Sequence, residues 1–382
     1  MKERYAVKDK QPRNPFVFGG AVKDADFCGR RTELAELKSD ALSGQNVLVY
    51  ASRRYGKTSM LEVLCEQRRA EGVKCMYVDA SRALDVGDFV NEYFNAFARE
   101  LGGVERVIET IKNKLGFGLS FSIRPGAAAG DIAYALDVGV KEKQVSLEQV
   151  VNLPFAYAKK ENSLFIVVID EFQEIAKLGL EAKLRSYFQT HGRKVGYIFA
   201  GSKKSILIQM FGDKGRPFYQ SVKTMPMNGI PEKDWQPFIV KQFAKGNRKI
   251  NHKQISRIVT LARGCPYLVQ HLCHVLWDIT GDVIQDGDID AALNVVLARE
   301  DNKYALAWDM LSLTQQKMAY ILADEPDELY AKGVLQEYGM VPSAAQKALA
   351  GLWAKDVTDR THDGRYAFQD PFFRLWLLRR KK

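Results

Sequence analysis

Short apolar runs alternate with helical patterns along the first 225 residues, and this alternation constrains the fold more than any other feature. Runs of four to eight apolar residues between turn signals are typical of strands buried on both faces. Such strands alternating with helices indicate a parallel sheet that helices cover on both sides. We therefore predict an α/β fold, with strands at 46–50, 75–79, 164–169 and 195–200 and helices at 32–42, 59–71, 89–101 and 180–189.

The chain is long enough for more than one domain, since about 100–200 residues per domain is usual. Prolines and glycines break any period in an irregular segment at 1–26, and an α/β core follows at 27–225. Within that core, 102–163 is interpreted as an insertion, and 116–130 as a flexible excursion or a hairpin. Only helical patterns occupy 226–300.

The last segment, 305–382, has the pattern helix, helix, helix, hairpin, helix, which predicts a winged helix-turn-helix domain. Its third helix is predicted at 343–355, with Ser343 as the capping residue after Pro342. A turn at His362-Asp-Gly364 separates the two short strands.

A phosphate-binding loop is predicted where the first strand meets the second helix. The segment Ala51-Ser-Arg-Arg-Tyr-Gly56-Lys57-Thr58 fits the pattern G-x-x-x-x-G-K-[ST] except at its first glycine. In such a loop, backbone N–H groups and the helix N-terminus surround the phosphates, while lysine reaches the β- and γ-phosphates and threonine ligates Mg²⁺. Alanine is the mildest replacement for the missing glycine, unless that position needs a positive φ.

A second motif gives the loop a chemical role. The strand at 164–169 ends in Asp170-Glu171, and two carboxylates at the end of a buried strand are costly unless they meet a cation. We predict that Asp170 holds Mg²⁺ through water and that Glu171 polarises the attacking water. Together, the motifs predict an ATPase that converts ATP and water to ADP and phosphate.

With both motifs in place, the sequence resembles AAA+-type P-loop ATPases, and among them the archaeal ATPase family, which is related to STAND ATPases and origin-recognition initiators. The resemblance covers nearly the whole chain. Phe27-Cys-Gly-Arg30-Arg-Thr-Glu33-Leu34 is similar to the family's box ahead of the loop, and Arg53-Arg54-Tyr55-Gly56-Lys57-Thr58-Ser59 to its form of the loop. Tyr197–Ser202 resembles its sensor strand, Gly264-Cys-Pro266 its lid motif, and Asp370–Leu377 the element that closes its winged helix.

The resemblance implies an AAA+-like core followed by a helical lid and a winged helix, with ATP between core and lid. It implies that Ser202 senses the γ-phosphate and that Pro266 lies beside the adenine. Arg216 follows the sensor strand, where an arginine finger completes a neighbouring protomer's site, although a surface arginine fits the sequence equally well. The residues expected to bind nucleotide are Arg30, Ser52, Arg53, Arg54, Tyr55, Gly56, Lys57, Thr58, Ser59 and Pro266.

Partners are predicted less directly. The net charge of +10 favours a polyanion, yet 305–382 carries 11 Lys and Arg against 10 Asp and Glu. Duplex DNA contacts are expected at Lys347, Lys355, Arg360 and Arg365, but winged helices also bind proteins. No apolar run approaches the roughly 20 residues that cross a bilayer, so we expect a cytoplasmic protein with no membrane contact.

Two functions therefore remain open. The first is an ATP-driven switch or remodeller that acts on DNA or on a DNA-bound protein, with nucleotide-dependent self-assembly as an option. The second is a STAND-like signalling or defence module, in which nucleotide controls a protein partner without DNA. A small-molecule kinase is disfavoured because the helical and winged-helix segments have no place in that architecture.

Overall fold

The computed structural model describes residues 13–110, 123–125, 134–136, 146–324, 328–360 and 364–381. These residues form two compact units. The sheet unit contains residues 30–51 and 57–227, and the helical unit contains the described residues among 1–29, 52–56 and 228–382.

The sheet unit is built on five parallel strands in the order β2-β5-β6-β1-β7. Every residue of β5 and β6 is buried, which explains their uninterrupted apolar sequences. The parallel sheet is as predicted. Strand β7 was not predicted, because three of its four residues are exposed and it has no apolar run. The strands of the chain are β1 (Val47–Tyr50), β2 (Lys74–Asp79), β3 (Ile123–Pro125), β4 (Tyr134–Leu136), β5 (Phe165–Asp170), β6 (Val195–Gly201), β7 (Lys223–Pro226), β8 (Thr358–Arg360) and β9 (Tyr366–Phe368).

Helices of the sheet unit pack on this sheet through apolar faces. In the third helix Phe89, Tyr93 and Phe97, four residues apart, have no solvent exposure, and Asp85 caps the N-terminus by accepting the N–H of Asp88. The helices are α1 (Arg31–Leu42), α2 (Lys57–Ala70), α3 (Val86–Leu101), α4 (Val104–Thr110), α5 (Leu147–Val151), α6 (Leu153–Lys160), α7 (Glu174–Lys177), α8 (Glu181–Thr190) and α9 (Lys204–Gly212), with short 3-10 helices at Ala80–Arg82 and Gly192–Lys194.

The segment 102–163 was interpretable from sequence only in outline. The antiparallel pair β3–β4 lies within it, while the rest of the predicted excursion or hairpin at 116–130 lies outside the described residues. Helices α5 and α6 are additions, and their apolar residues Val150, Val151 and Leu153 are fully buried. The insertion therefore contributes to the core of the sheet unit.

The helical unit has a single hydrophobic core that includes Trp235, Trp277, Trp308 and Phe372. The predicted lid helices and the predicted winged-helix order are both present, and α14 spans the sequence between them. Segments predicted as separate domains thus share one core. The helices are α10 (Glu232–Ala244), α11 (His252–Leu261), α12 (Pro266–Ile279), α13 (Asp286–Arg299), α14 (Asp301–Asp309), α15 (Leu313–Ala323), α16 (Lys332–Glu337), α17 (Pro342–Ala354) and α18 (Pro371–Arg380), with a 3-10 helix at Asp24–Asp26.

The predicted cap of α17 is wrong. The helix begins at Pro342 after Val341, and no side chain caps it. Proline suits the first helical position because its missing N–H would have no partner there, so Ser343 lies inside the first turn. None of the helices in the described part of the chain has the length and apolarity needed to span a membrane.

His191 is buried in the sheet unit with 1% of its surface exposed. Its Nδ1 lies 2.6 Å from the Tyr197 hydroxyl, its Nε2 lies 2.7 Å from Asn152 Oδ1, and its ring stacks on Phe155. A neutral imidazole satisfies both contacts, accepting from the tyrosine and donating to the amide. Burial lowers the pKa of His191 from 6.5 to about 4.

This shift predicts acid sensitivity. As pH falls below 6.5 the unfolded chain binds a proton that the folded chain excludes until about pH 4. The contribution of His191 to the free energy of unfolding is complete above its pKa in the unfolded chain. It declines by about 1.4 kcal/mol per pH unit as the pH falls towards its pKa in the folded chain. Urea unfolding from about pH 7.5 to about pH 4.5 should show a shallower decline for His191→Gln than for wild type. His252→Gln, at an exposed position, should follow the wild-type slope.

Candidate functional site

The predicted phosphate-binding loop, between β1 and α2, has two residues with positive φ. Arg54 and Gly56 lie in the left-handed region with φ of +72° and +80°, whereas Ala51 does not have a positive φ. The glycine missing from the pattern is therefore not needed for backbone conformation at Ala51. A non-glycine residue with positive φ is uncommon, and such residues cluster in ligand-binding loops.

Two side chains of the motif lie at the start of α2. Lys57 is 6% exposed, and its Nζ donates to the carbonyl of Ala51 over 3.3 Å. Thr58 Oγ1 donates to Asp170 Oδ2 over 2.9 Å. The lysine charge and the helix N-terminus favour an anion at this point.

Asp170 ends β5 and is 3% exposed. Its Oδ2 accepts from Thr58 and from the Tyr77 hydroxyl at 2.6 Å, and its Oδ1 accepts from the N–H of Glu171 at 2.8 Å. Burial and the charge of Asp170 raise the pKa of Tyr77, so its hydroxyl stays protonated and donates. Three donors thus stabilise the buried carboxylate.

Tyr77 is a site residue that the sequence motifs do not include. The parallel register pairs Tyr77 with Val168 and Asp79 with Asp170, so Tyr77 and Asp170 share a face of the sheet. The one available signal is a tyrosine in the otherwise apolar middle of β2, and by itself it is indistinguishable from core packing.

Glu171 follows β5 with a left-handed φ of +49°. The Ser202 hydroxyl lies 2.9 Å from its Oε2 and 3.2 Å from its Oε1, and the Gln173 side-chain amide also donates to Oε2. Ser202, implied to be a γ-phosphate sensor, is thus hydrogen-bonded to the predicted catalytic carboxylate. The sequence motifs miss Gln173 altogether.

The donor set fits the predicted ligands. A hydroxyl and a carboxylate oxygen 2.9 Å apart, from Thr58 and Asp170, are the hard ligands that Mg²⁺ prefers when phosphates and water complete its shell. The charge of Lys57 and the N-terminus of α2 favour the phosphates of a nucleotide.

The residues Ser52–Gly56 group with the helical unit. The Arg54 guanidinium lies 4.1 Å from the centre of the Tyr267 ring, and its Nη1 lies 3.9 Å from Asp370 Oδ2. Ser52 Oγ donates to Asp359 Oδ2 over 3.4 Å. A Cβ added at Gly56 would lie 3.7 Å from Pro266 Cγ, so the implied lid proline is next to the loop. Asp359 belongs to no motif, and the resemblance at Asp370–Leu377 did not imply a contact with the loop.

The remaining residues predicted to bind nucleotide differ in their burial and contacts. Arg30 is 3% exposed, has a φ of +64° and donates to Glu33 over 2.7 Å. Arg53 is exposed, Tyr55 is half-buried and Ser59 is buried. Their contact with nucleotide stays a prediction.

Arg216 forms an ion pair with Glu181 at 2.6 Å, and 37% of its side chain is exposed. Burial raises the pKa of Glu181, and the arginine charge offsets that increase only in part. A finger role requires the guanidinium to leave this carboxylate, so it stays a prediction.

The predicted DNA contacts differ in their availability. Lys347 and Arg365 are exposed. Lys355 donates to the carbonyl of Met310 at 2.6 Å and to Gln315 at 3.1 Å. Arg360 donates to the Tyr366 hydroxyl at 2.7 Å and lies over the same ring.

Comparison with solved structures identifies the fold. The Walker-type ATPase of Pyrococcus abyssi superposes with a TM-score of 0.67 at 14% identity, covering 95% of this chain and 99% of that one. The ORC2 protein of Aeropyrum pernix in its ADP form gives a TM-score of 0.52 at 13% identity, over 97% and 98% of the two chains. The chain has the fold of AAA+ P-loop ATPases. No protein-family model matches it, and no curated protein matches it in sequence.

The Tyr77 contact generates a metal-dependence prediction. Tyr77→Phe removes one donor to Asp170 but keeps the ring, so the carboxylate is held less firmly. We expect the Mg²⁺ concentration that half-saturates tight binding of a fluorescent ATP analogue to rise about tenfold, the size of effect typical of residues behind a metal ligand. Tyr197→Phe is the matched control, since that hydroxyl contacts His191 instead. Equal Mg²⁺ dependence in wild type and Tyr77→Phe would contradict the prediction.

Proposed function

We propose that this chain binds ATP with Mg²⁺ and hydrolyses it to ADP and phosphate. The observation that carries the proposal is the pairing of Thr58 with Asp170 beside Glu171, at the start of a helix that follows a left-handed loop. The AAA+ fold supports it, as does the ADP named for the similar ORC2 protein.

Each residue has a defined task in this proposal. Lys57 neutralises charge on the β- and γ-phosphates, and Thr58 and Asp170 hold the metal. Mg²⁺, when bound, neutralises phosphate charge and orients the transferred group. Glu171 accepts a proton from the attacking water, and Ser202 orients that carboxylate.

Two substitutions separate binding from turnover. Lys57→Ala removes the main positive charge and should abolish ATP binding, measured by calorimetry. Glu171→Gln keeps the shape but cannot accept a proton, so it should bind ATP normally while turnover falls on the order of 10²–10⁴-fold. Lys38→Ala, at a surface ion pair with Glu71, is the matched control. Normal hydrolysis by Glu171→Gln would overturn the catalytic assignment.

We further propose that the ATPase acts on duplex DNA or on a DNA-bound protein through the winged helix. The exposed Lys347 on α17, the exposed Arg365 in the hairpin and the net charge of +10 support this proposal. In this proposal α17 acts as the recognition helix and the hairpin contacts the DNA backbone.

A second candidate is a nucleotide-controlled switch that binds a protein partner. The contacts of Ser52 with Asp359 and of Arg54 with Asp370 favour it, because loop residues and winged-helix residues share direct interactions. Any ligand that moves the loop would disturb these contacts, whatever partner the winged helix binds.

Duplex binding distinguishes the two candidates. Fluorescence anisotropy with labelled duplex should show affinity that depends on nucleotide and falls steeply with salt. The double variant Lys347→Ala/Arg365→Ala should reduce the slope of log K against log salt by about 2, since each phosphate contact contributes about 0.9. Lys183→Ala/Arg193→Ala, exposed positions of the sheet unit, should leave the slope unchanged.

Absent duplex affinity, or affinity indifferent to both nucleotide and salt, would exclude the DNA proposal and leave the protein-binding switch. A variant slope equal to that of wild type would show that DNA is bound elsewhere. Neither result would affect the proposed hydrolysis.

A further inference from the structure

Gln173 is a buried amide that the catalytic proposal does not use. It lies in the turn between β5 and α7 and is 2% exposed. Its Nε2 donates to Glu171 Oε2, the oxygen that also accepts from Ser202 at 2.9 Å. Among the residues that the structure describes, Glu171 Oε2 therefore has two donors, while Oε1 has only the longer contact of 3.2 Å with Ser202.

The turn that carries Gln173 is fixed on both sides. The N–H of Phe172 donates to the carbonyl of Ala200 at 2.8 Å, and the N–H of Glu174 donates to the carbonyl of Glu171 at 2.9 Å. With the left-handed φ of Glu171, these bonds set the direction of both side chains. The amide thus approaches the carboxylate from a rigid part of the fold.

Gln173 has a feature that packing alone does not explain. Its Oε1 is buried and has no hydrogen-bond partner among the described residues. An unsatisfied buried oxygen is destabilising, and an apolar side chain of similar shape would avoid that loss. Within the part of the chain that the structure describes, the one hydrogen bond of this side chain is the bond to Glu171.

Gly201, the last residue of β6, leaves space for the side chain of Gln173. A Cβ at this position would lie 2.1 Å from Gln173 Oε1 and 2.9 Å from Leu207 Cδ1. The φ of Gly201 is not in the left-handed region, so its backbone conformation does not require glycine. A glycine is needed at position 201 because a larger residue would collide with Gln173 and Leu207.

We propose that Gln173 is a positioning residue for Glu171, holding Oε2 so that Oε1 accepts the proton of the attacking water. The inference rests on the proposed hydrolysis and adds a residue to it. An N–H donor on one oxygen restricts the rotation of the carboxylate. Positioning of this kind affects the chemical step and leaves ATP binding unchanged.

The main test is Gln173→Met, which keeps the length of the side chain and removes the donor. We expect kcat to fall on the order of 10–100-fold, the loss that a misplaced catalytic group produces, with KM for ATP within about twofold of wild type. Gln242→Met is the matched control, because Gln242 is also buried with an unpartnered Oε1 and lies in the helical unit. It should keep the wild-type kcat.

A second set of variants separates positioning from stability. Gly201→Ala should lower kcat by displacing Gln173 and should also lower Tm because of the 2.1 Å conflict. In a Gln173→Ala background the conflict with the glutamine is gone and only the 2.9 Å approach to Leu207 Cδ1 remains. Gly201→Ala should then lower Tm by less than it does in the wild-type background, while kcat stays low. A purely structural role for Gln173 would make Tm and kcat recover together.

The outcomes are distinguishable when wild type and Glu171→Gln are assayed in parallel. Loss of kcat in folded Gln173→Met with KM unchanged supports the inference. A kcat within about twofold of wild type, or an equivalent loss in the Gln242→Met control, overturns it and leaves the proposed hydrolysis intact. Wild-type protein without turnover would overturn both.

Discussion

The structure of the candidate site depends on how the chain accommodates the buried carboxylate of Asp170. A charged group at the end of a strand enclosed by helices is stable only if it is hydrogen-bonded. Thr58, Tyr77 and the N–H of Glu171 supply the bonds, and each comes from a different element or turn. One carboxylate therefore fixes the start of α2, the face of β2 and the turn after β5.

This constraint explains why unusual backbone conformations gather around the site. Left-handed φ values at Arg54 and Glu171 are unfavourable for side chains with a Cβ. They persist because hydrogen bonds from neighbouring strands and turns hold the segments in place. As a result, Glu171 faces Ser202 and Gln173, and hydrogen bonds from both side chains orient its carboxylate.

The helical unit adds a second set of contacts to the same loop. Arg54 lies over Tyr267 and pairs with Asp370, and Ser52 reaches Asp359. These partners come from the predicted lid and from the predicted winged helix, which share one hydrophobic core. Loop residues and winged-helix residues are thus linked inside a single unit, which is the physical basis for proposing nucleotide control of that unit.

The α/β class and the order of the lid and C-terminal helices were predictable from sequence, because each is a local pattern. Apolar runs identify buried strands, and the position of Lys57 and Thr58 after a strand predicts a phosphate site. Strand β7 was not predicted because this edge strand has no apolar run. The cap of α17 was assigned to the wrong residue because proline and serine both favour helix starts.

Tertiary structure alone decided which side chains complete the site. Tyr77 and Gln173 contact the two carboxylates only because parallel register and a hydrogen-bonded turn bring them there. Asp359 and Asp370 lie more than 300 residues from Ser52 and Arg54 in sequence, and no local pattern reports a contact over that separation. Local propensity specifies elements, whereas hydrogen bonding to a buried charge depends on packing between elements that are distant in the chain.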